Sequence, residues 1–198
     1  MEKGLQGRPA LLLVDMQKGF EEKDYYGGER NNPRAEQQAQ KLLAHWRSRG
    51  LPLFHIQYSS HNPGSPLRPD LPGFAFKDEV APLPGEPVLV RSVNSAFIGT
   101  DLQARLDAQG IDTVVVTGLA TEHCVSTTTR MAANLGYRTF IIADATAAFN
   151  KTGINGEHMS AELVHQVSLA TLQGEFATVL TTQELLSRLE APVPAPGN

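Results

Sequence analysis

The chain reads as an α/β protein, a three-layer sandwich around a six-stranded, mostly parallel sheet. Three observations predict this. Short unbroken apolar runs such as Ala10 to Val14 and Val114 to Val116 suit strands buried on both faces. Helical patterns separate one run from the next, the alternation expected of a parallel sheet with helices on both sides. Polar residues follow directly on several runs, where an open parallel sheet gathers its chemistry. Right-handed crossovers follow from the same architecture, whereas the strand order does not.

Taken in order, Ala10 to Val14 is the first strand and Asp15 ends it. The segment MQKGFEEKDYYGGERNN reads as an ordered loop leading to a helix from Pro33 to Arg49. That helix carries Ala35, Ala39, Leu42, Leu43 and Trp46 on one face, with Gly50 as its stop. Leu53 to Gln57 is the second strand. From Tyr58 to Glu86 periodicity is lost among prolines and glycines, yet Leu67, Leu71, Phe74 and Phe76 are too apolar for a disordered segment. A long loop of this kind is expected to bind substrate or cover a site. Val88 to Val90 is the third strand, followed by Arg91 and a helix from Thr100 to Ala108.

The fourth strand runs through Val114 to Val116 and breaks at Gly118. A helix from Glu122 to Asn134 follows, with Thr121 as its N-cap, and stops before Gly136. Tyr137 to Ala143 is the fifth strand, ending at Asp144, which is expected to hold its loop or cap the neighbouring cysteine helix. Ala145 to Gly156 is a loop, Ser160 to Leu172 a helix, and Phe176 to Leu180 the sixth strand. Thr182 caps a last helix through Leu189, and the tail from about residue 190 to 198 is expected to fray.

Composition bounds the function. At 198 residues, one domain spanning 1–198 is expected. A net charge of -4 without a long basic run leaves nothing for a phosphate backbone, so no nucleic-acid partner is expected. The single cysteine excludes an intrachain disulfide framework and suits a reducing compartment. LLLV is short and runs straight into Asp15, unlike a signal peptide, and no stretch has membrane-spanning length. A cytoplasmic location and no membrane partner are the expectation.

Three polar residues fall at or beyond predicted strand ends: Asp15, Arg91 and Cys124. Parallel strands bring those ends to one side. At the start of a helix, Cys124 meets unpaired N–H groups and the positive end of the dipole, which favour a thiolate and could hold an oxyanion. A buried cysteine at this place is the competing reading. Asp15 is the candidate proton acceptor, and Arg91 supplies fixed positive charge. Each could also be structural, Asp15 capping a loop and Arg91 pairing with a carboxylate. His55 reads as core, and His123 points away from Cys124 by α-helical geometry. His61 lacks the partners of a metal site, and His158 with His165 is too small a set for one. No metal and no cofactor are expected. Asn94, Phe97 and Phe149, with Phe20, Tyr25 and Tyr58, are candidates for a partly apolar substrate pocket.

The segments ALLLVDMQKGF, VNSAFIGTDL, VVVTGLATEHCVSTTTRMAANLGY and IIADATAAF resemble the isochorismatase-like cysteine hydrolases, the superfamily of the nicotinamidases and N-carbamoylsarcosine amidases. The resemblance covers nearly the whole chain. It implies a catalytic set of an aspartate, a lysine and a cysteine, matched here by Asp15, Arg91 and Cys124. It further implies a cis peptide at Leu119-Ala120, an oxyanion hole from the backbone N–H groups of Ala120 and Cys124, and self-association as a dimer or tetramer. Arginine in place of lysine keeps a cation but cannot serve as a neutral amine. QYSSHNPGSP lacks the aspartate and two histidines that bind metal in nicotinamidases, which argues against that activity. The implied function is metal-independent hydrolysis of a C–N bond in a small amide, carbamoyl compound or cyclic imide through a thioester. The alternatives are isochorismatase-type vinyl ether hydrolysis, which uses the aspartate as proton donor, and a small-molecule-binding member of the fold with altered catalysis.

Overall fold

The computed structural model describes residues 7–190, and the tail expected to fray lies almost wholly outside them. Six parallel strands form the central sheet: β1 (Ala10–Val14), β2 (Leu53–Tyr58), β3 (Val88–Arg91), β4 (Thr113–Leu119), β5 (Arg138–Ala147) and β8 (Thr178–Leu180). Their spatial order is β3-β2-β1-β4-β5-β8, with β1 and β4 at the centre. The short strands β6 (Lys151–Thr152) and β7 (His158–Met159) pair antiparallel as a separate hairpin.

The layers follow from the two-residue side-chain period of the strands. Ala10, Leu12 and Val14 face one core, together with Phe54, Ile56, Val114 and Val116. Against them pack α3 (Leu102–Ala108), α4 (Ser126–Asn134) and α5 (Ala161–Leu172), through Leu102, Leu106, Ala132, Leu169 and Leu172. Leu11 and Leu13 face the opposite core. There, α2 (Ala35–Arg49) contributes Ala39, Leu42, Leu43 and Trp46, and α6 (Thr182–Glu190) contributes Leu185. The remaining helix, α1 (Lys23–Tyr26), is one turn inside the loop after β1 and buries no whole residue.

Several local expectations are corrected. β5 continues through Ala147, into the stretch expected to be a loop. A register shift after Val116 lets Thr146 and Ala147 pair with Gly118 and Leu119. Gly118 itself has φ +130°, and a Cβ there would lie 1.9 Å from the Val14 carbonyl oxygen. Only glycine lets β4 pass β1 this closely. The cysteine segment is not α-helical from Glu122: Thr121–Val125 forms a π turn, and α4 begins at Ser126. Thr121 does not cap it, because its hydroxyl is paired at 2.9 Å with His165 Nδ1 on α5.

Asp144 does not cap the cysteine helix. Its carboxylate accepts hydrogen bonds from both the amide and the hydroxyl of Thr182, each at 2.8 Å. Thr182 is the first residue of α6, and the cap belongs to Thr181. The Thr181 hydroxyl accepts from the Glu184 amide while Glu184 accepts from the Thr181 amide, a reciprocal capping box.

Candidate active site

Asp15 leaves β1 with φ +52°, a left-handed conformation rare for a residue with a side chain, and is fully buried. Its amide donates to the Ile56 carbonyl oxygen at 2.9 Å, which ties the turn to β2. Arg91 ends β3, two strands away, and reaches across β2. Its Nη2 donates to both oxygens of Asp15, at 2.8 and 2.7 Å. Both side chains are sealed from solvent. The Arg91 guanidinium also lies over the Tyr58 ring, 4.8 Å from its centroid. Its Nε and Nη1 are buried without a hydrogen-bond partner.

Cys124 sits in the π turn after β4, only 8% exposed. The thiol is close enough to Asp15 and Arg91 for each to move its proton affinity. Burial raises the Cys124 pKa well above its ordinary value and the Asp15 charge adds to this, while Arg91 opposes both. Burial likewise raises the Asp15 carboxyl, against the pull of Arg91. Burial and the neighbouring Asp15 carboxylate thus work against the thiolate expected from the position of Cys124, and Arg91 works for it. The Leu119–Ala120 peptide bond is cis.

A cavity of about 230 Å³ opens onto these groups. Asp15, Cys124 and Ala120 contribute to its wall, as do Phe20, Tyr25, Tyr58, Asn94 and Phe149 among the expected pocket residues. Phe97 does not reach it. Its ring stacks on Tyr137 at 5.8 Å between centroids, in the core on the α3 side. Arg91 acts from behind Asp15 and forms no part of the cavity wall.

Seven wall residues escape or mislead a reading of the sequence: Tyr26, Ser60, Asn62, Ser65, Glu122, His123 and Lys151. Tyr26 stands between Phe20 and Phe149, with centroids at 4.7 and 5.0 Å. The adjacent Tyr25-Tyr26 pair is the sequence signal for it. Glu122 pairs with Lys151 at 3.0 Å. His123 turns toward the cavity because the π turn advances residues by a smaller angle than the α-helix assumed for it. Among the described residues, no three His, Cys, Asp or Glu side chains group so as to hold a metal ion. Nor is any helix among them long and apolar enough to cross a membrane. A buried acid and a thiol on one small cavity, with a fixed cation behind the acid, can together transfer a proton and form a covalent bond to an electrophilic carbon.

Comparison with known proteins gives the same picture. The isochorismatase domain profile matches residues 9–184. The chain is 47% identical over 183 residues to the isochorismatase family protein YrdC of Bacillus subtilis (strain 168), covering 92% of this chain and 97% of that one. It is 28% identical over 200 residues to the maleamate amidohydrolase of Pseudomonas putida, covering 94% and 89% respectively. A solved isochorismatase-family structure from Chromobacterium violaceum superposes with a TM-score of 0.89 at 45% identity, covering 96% of this chain and 98% of that one. With its sheet, its cysteine turn and nearly its whole length accounted for, the chain belongs to the isochorismatase family of hydrolases.

Proposed function

We propose that this protein is a cysteine hydrolase that cleaves the C–N bond of a small amide, carbamoyl compound or cyclic imide without a metal. The observation that carries this is the meeting of Asp15, Arg91 and Cys124 from three separate strand ends, with Asp15 and Cys124 on one cavity. The likeness to an amidohydrolase of maleamate supports the bond type.

In the proposed cycle the Asp15 carboxylate takes the thiol proton of Cys124 as the sulfur attacks the substrate carbonyl carbon. Its raised pKa makes Asp15 a better base than an ordinary carboxylate. Arg91 holds Asp15 in place and offsets negative charge near the sulfur. The backbone N–H groups of Ala120 and Cys124 hold the tetrahedral oxygen. Collapse breaks the C–N bond, and the protonated Asp15 gives its proton to the leaving nitrogen. A water then transfers a proton to Asp15 and attacks the thioester, which releases the acid and restores the thiol.

The test is a panel of small amides, carbamoyl compounds and cyclic imides, followed by mass spectrometry for product and for a covalent adduct on Cys124. Cys124→Ala is expected to keep the fold and lose both turnover and adduct. Turnover that survives this substitution, in particular pyruvate released from isochorismate, would replace the thioester route with one in which Asp15 acts as an acid alone.

A further inference from the structure

Tyr26 stands out among the groups of the catalytic cavity because its hydroxyl is buried and has no hydrogen-bond partner. Buried hydroxyls are nearly always paired, so an orphan on a cavity wall marks the place of an absent acceptor. Both oxygens of Asp15, on the same cavity, already accept from Arg91 Nη2.

The residue is also fixed in position. Its ring is stacked against Phe20 and Phe149. Its carbonyl oxygen accepts from Lys151 Nζ at 3.3 Å. The next residue, Gly27, lies so close to Asn150 that a Cβ would be 2.2 Å from the Asn150 carbonyl oxygen. Burial, helped by the charges of Tyr25, Asp15 and Cys124, holds the phenol proton on well beyond its ordinary range, so the group remains a donor throughout the accessible pH range. A rigid, protonated donor beside the nucleophile has the character of preorganised electrostatic stabilisation.

We propose that the Tyr26 hydroxyl is a further catalytic residue, donating a hydrogen bond to the acyl oxygen of the bound substrate. It adds a side-chain donor to the two backbone amides and selects substrates that present a carbonyl there. The inference rests on the cysteine-hydrolase reading, and its test separates the two.

The probes are iodoacetamide, which carries a carbonyl, and allyl bromide, a reagent of similar size without one. In each reaction Cys124 Sγ forms a bond to carbon, halide leaves with the bonding pair, and the thiol proton is released. Intact-mass kinetics are recorded for wild type and Tyr26→Phe, which keeps the aromatic stack and removes only the hydroxyl. The expected result is a roughly three- to ten-fold slower reaction with iodoacetamide in the variant, the scale of one hydrogen bond. The rate with allyl bromide stays within about two-fold and the unfolding midpoint does not fall, since an unpaired buried hydroxyl contributes no stability. Equal effects on both reagents, or none on either, overturn the role of Tyr26 while leaving Cys124 as the nucleophile. Failure of both reagents to modify folded wild type removes the cysteine-hydrolase reading and this inference with it.

Discussion

Replacing Glu36 by glutamine tests how the loops around the cavity are held. Glu36, on the first turn of α2, is 6% exposed. Its carboxylate receives both Arg30 nitrogens, at 2.6 and 2.9 Å, and lies 3.0 Å from Lys77 Nζ. Arg30 belongs to the loop after β1 and Lys77 to the long loop after β2, so one carboxylate joins both segments. Burial alone would raise the Glu36 pKa, but Arg30 and Lys77 outweigh it and bring it from 4.5 to about 2. At about 1.4 kcal/mol per unit this corresponds to roughly 3 kcal/mol of stability. Because the folded value is depressed, that contribution is fully present above pH 4.5 and is lost as pH falls toward 2. Glu36→Gln should therefore unfold roughly 6–12 °C lower at pH 7, given about 2–4 °C per kcal/mol for a chain of this size. The gap should narrow steadily as the solution is acidified below pH 4.5. Thermal unfolding followed by circular dichroism from pH 7 to pH 3 measures both. Coincident midpoints at pH 7, or a gap independent of pH, would refute the reasoning.

Two further substitutions probe the site itself. Arg91→Lys retains a cation for Asp15 and removes two unpaired buried nitrogens, so its stability should stay within about 2 kcal/mol of wild type. Arg91→Met, which strands a buried carboxylate, should lose about 3–5 kcal/mol, both variants being compared with wild type by denaturant titration. Gly118→Ala should cost about 3 kcal/mol or more by chemical unfolding, because its methyl would overlap the Val14 carbonyl and the residue holds φ +130°.

The strands were legible because their evidence is local. ALLLV and VVV are apolar without interruption, and the same residues prove fully buried. The meeting of Asp15, Arg91 and Cys124 followed from one rule about where parallel strands end. What escaped depends on partners distant in sequence or on backbone form without a side-chain signature. Asp144 serves Thr182, across 38 positions. The π turn at Thr121–Val125 is too short to leave a periodicity of its own. Phe97 lies close in sequence to Asn94, yet its ring belongs to the core. Burial of Cys124, which works against a thiolate there, is recorded by no spacing.

The arrangement of the sheet has a consequence for how such a protein can change. The acid follows β1 directly, the cation ends β3 and the sulfur lies in the turn after β4, so all three depend on strands of the parallel ladder. Much of the remaining enclosure, including Tyr25, Tyr26, Asn62 and Leu67, hangs on connections outside the central sheet. The three converging side chains and much of the cavity wall are thus held by different parts of the chain. Residues in those connections can be exchanged to reshape the cavity while Asp15, Arg91 and Cys124 keep their places.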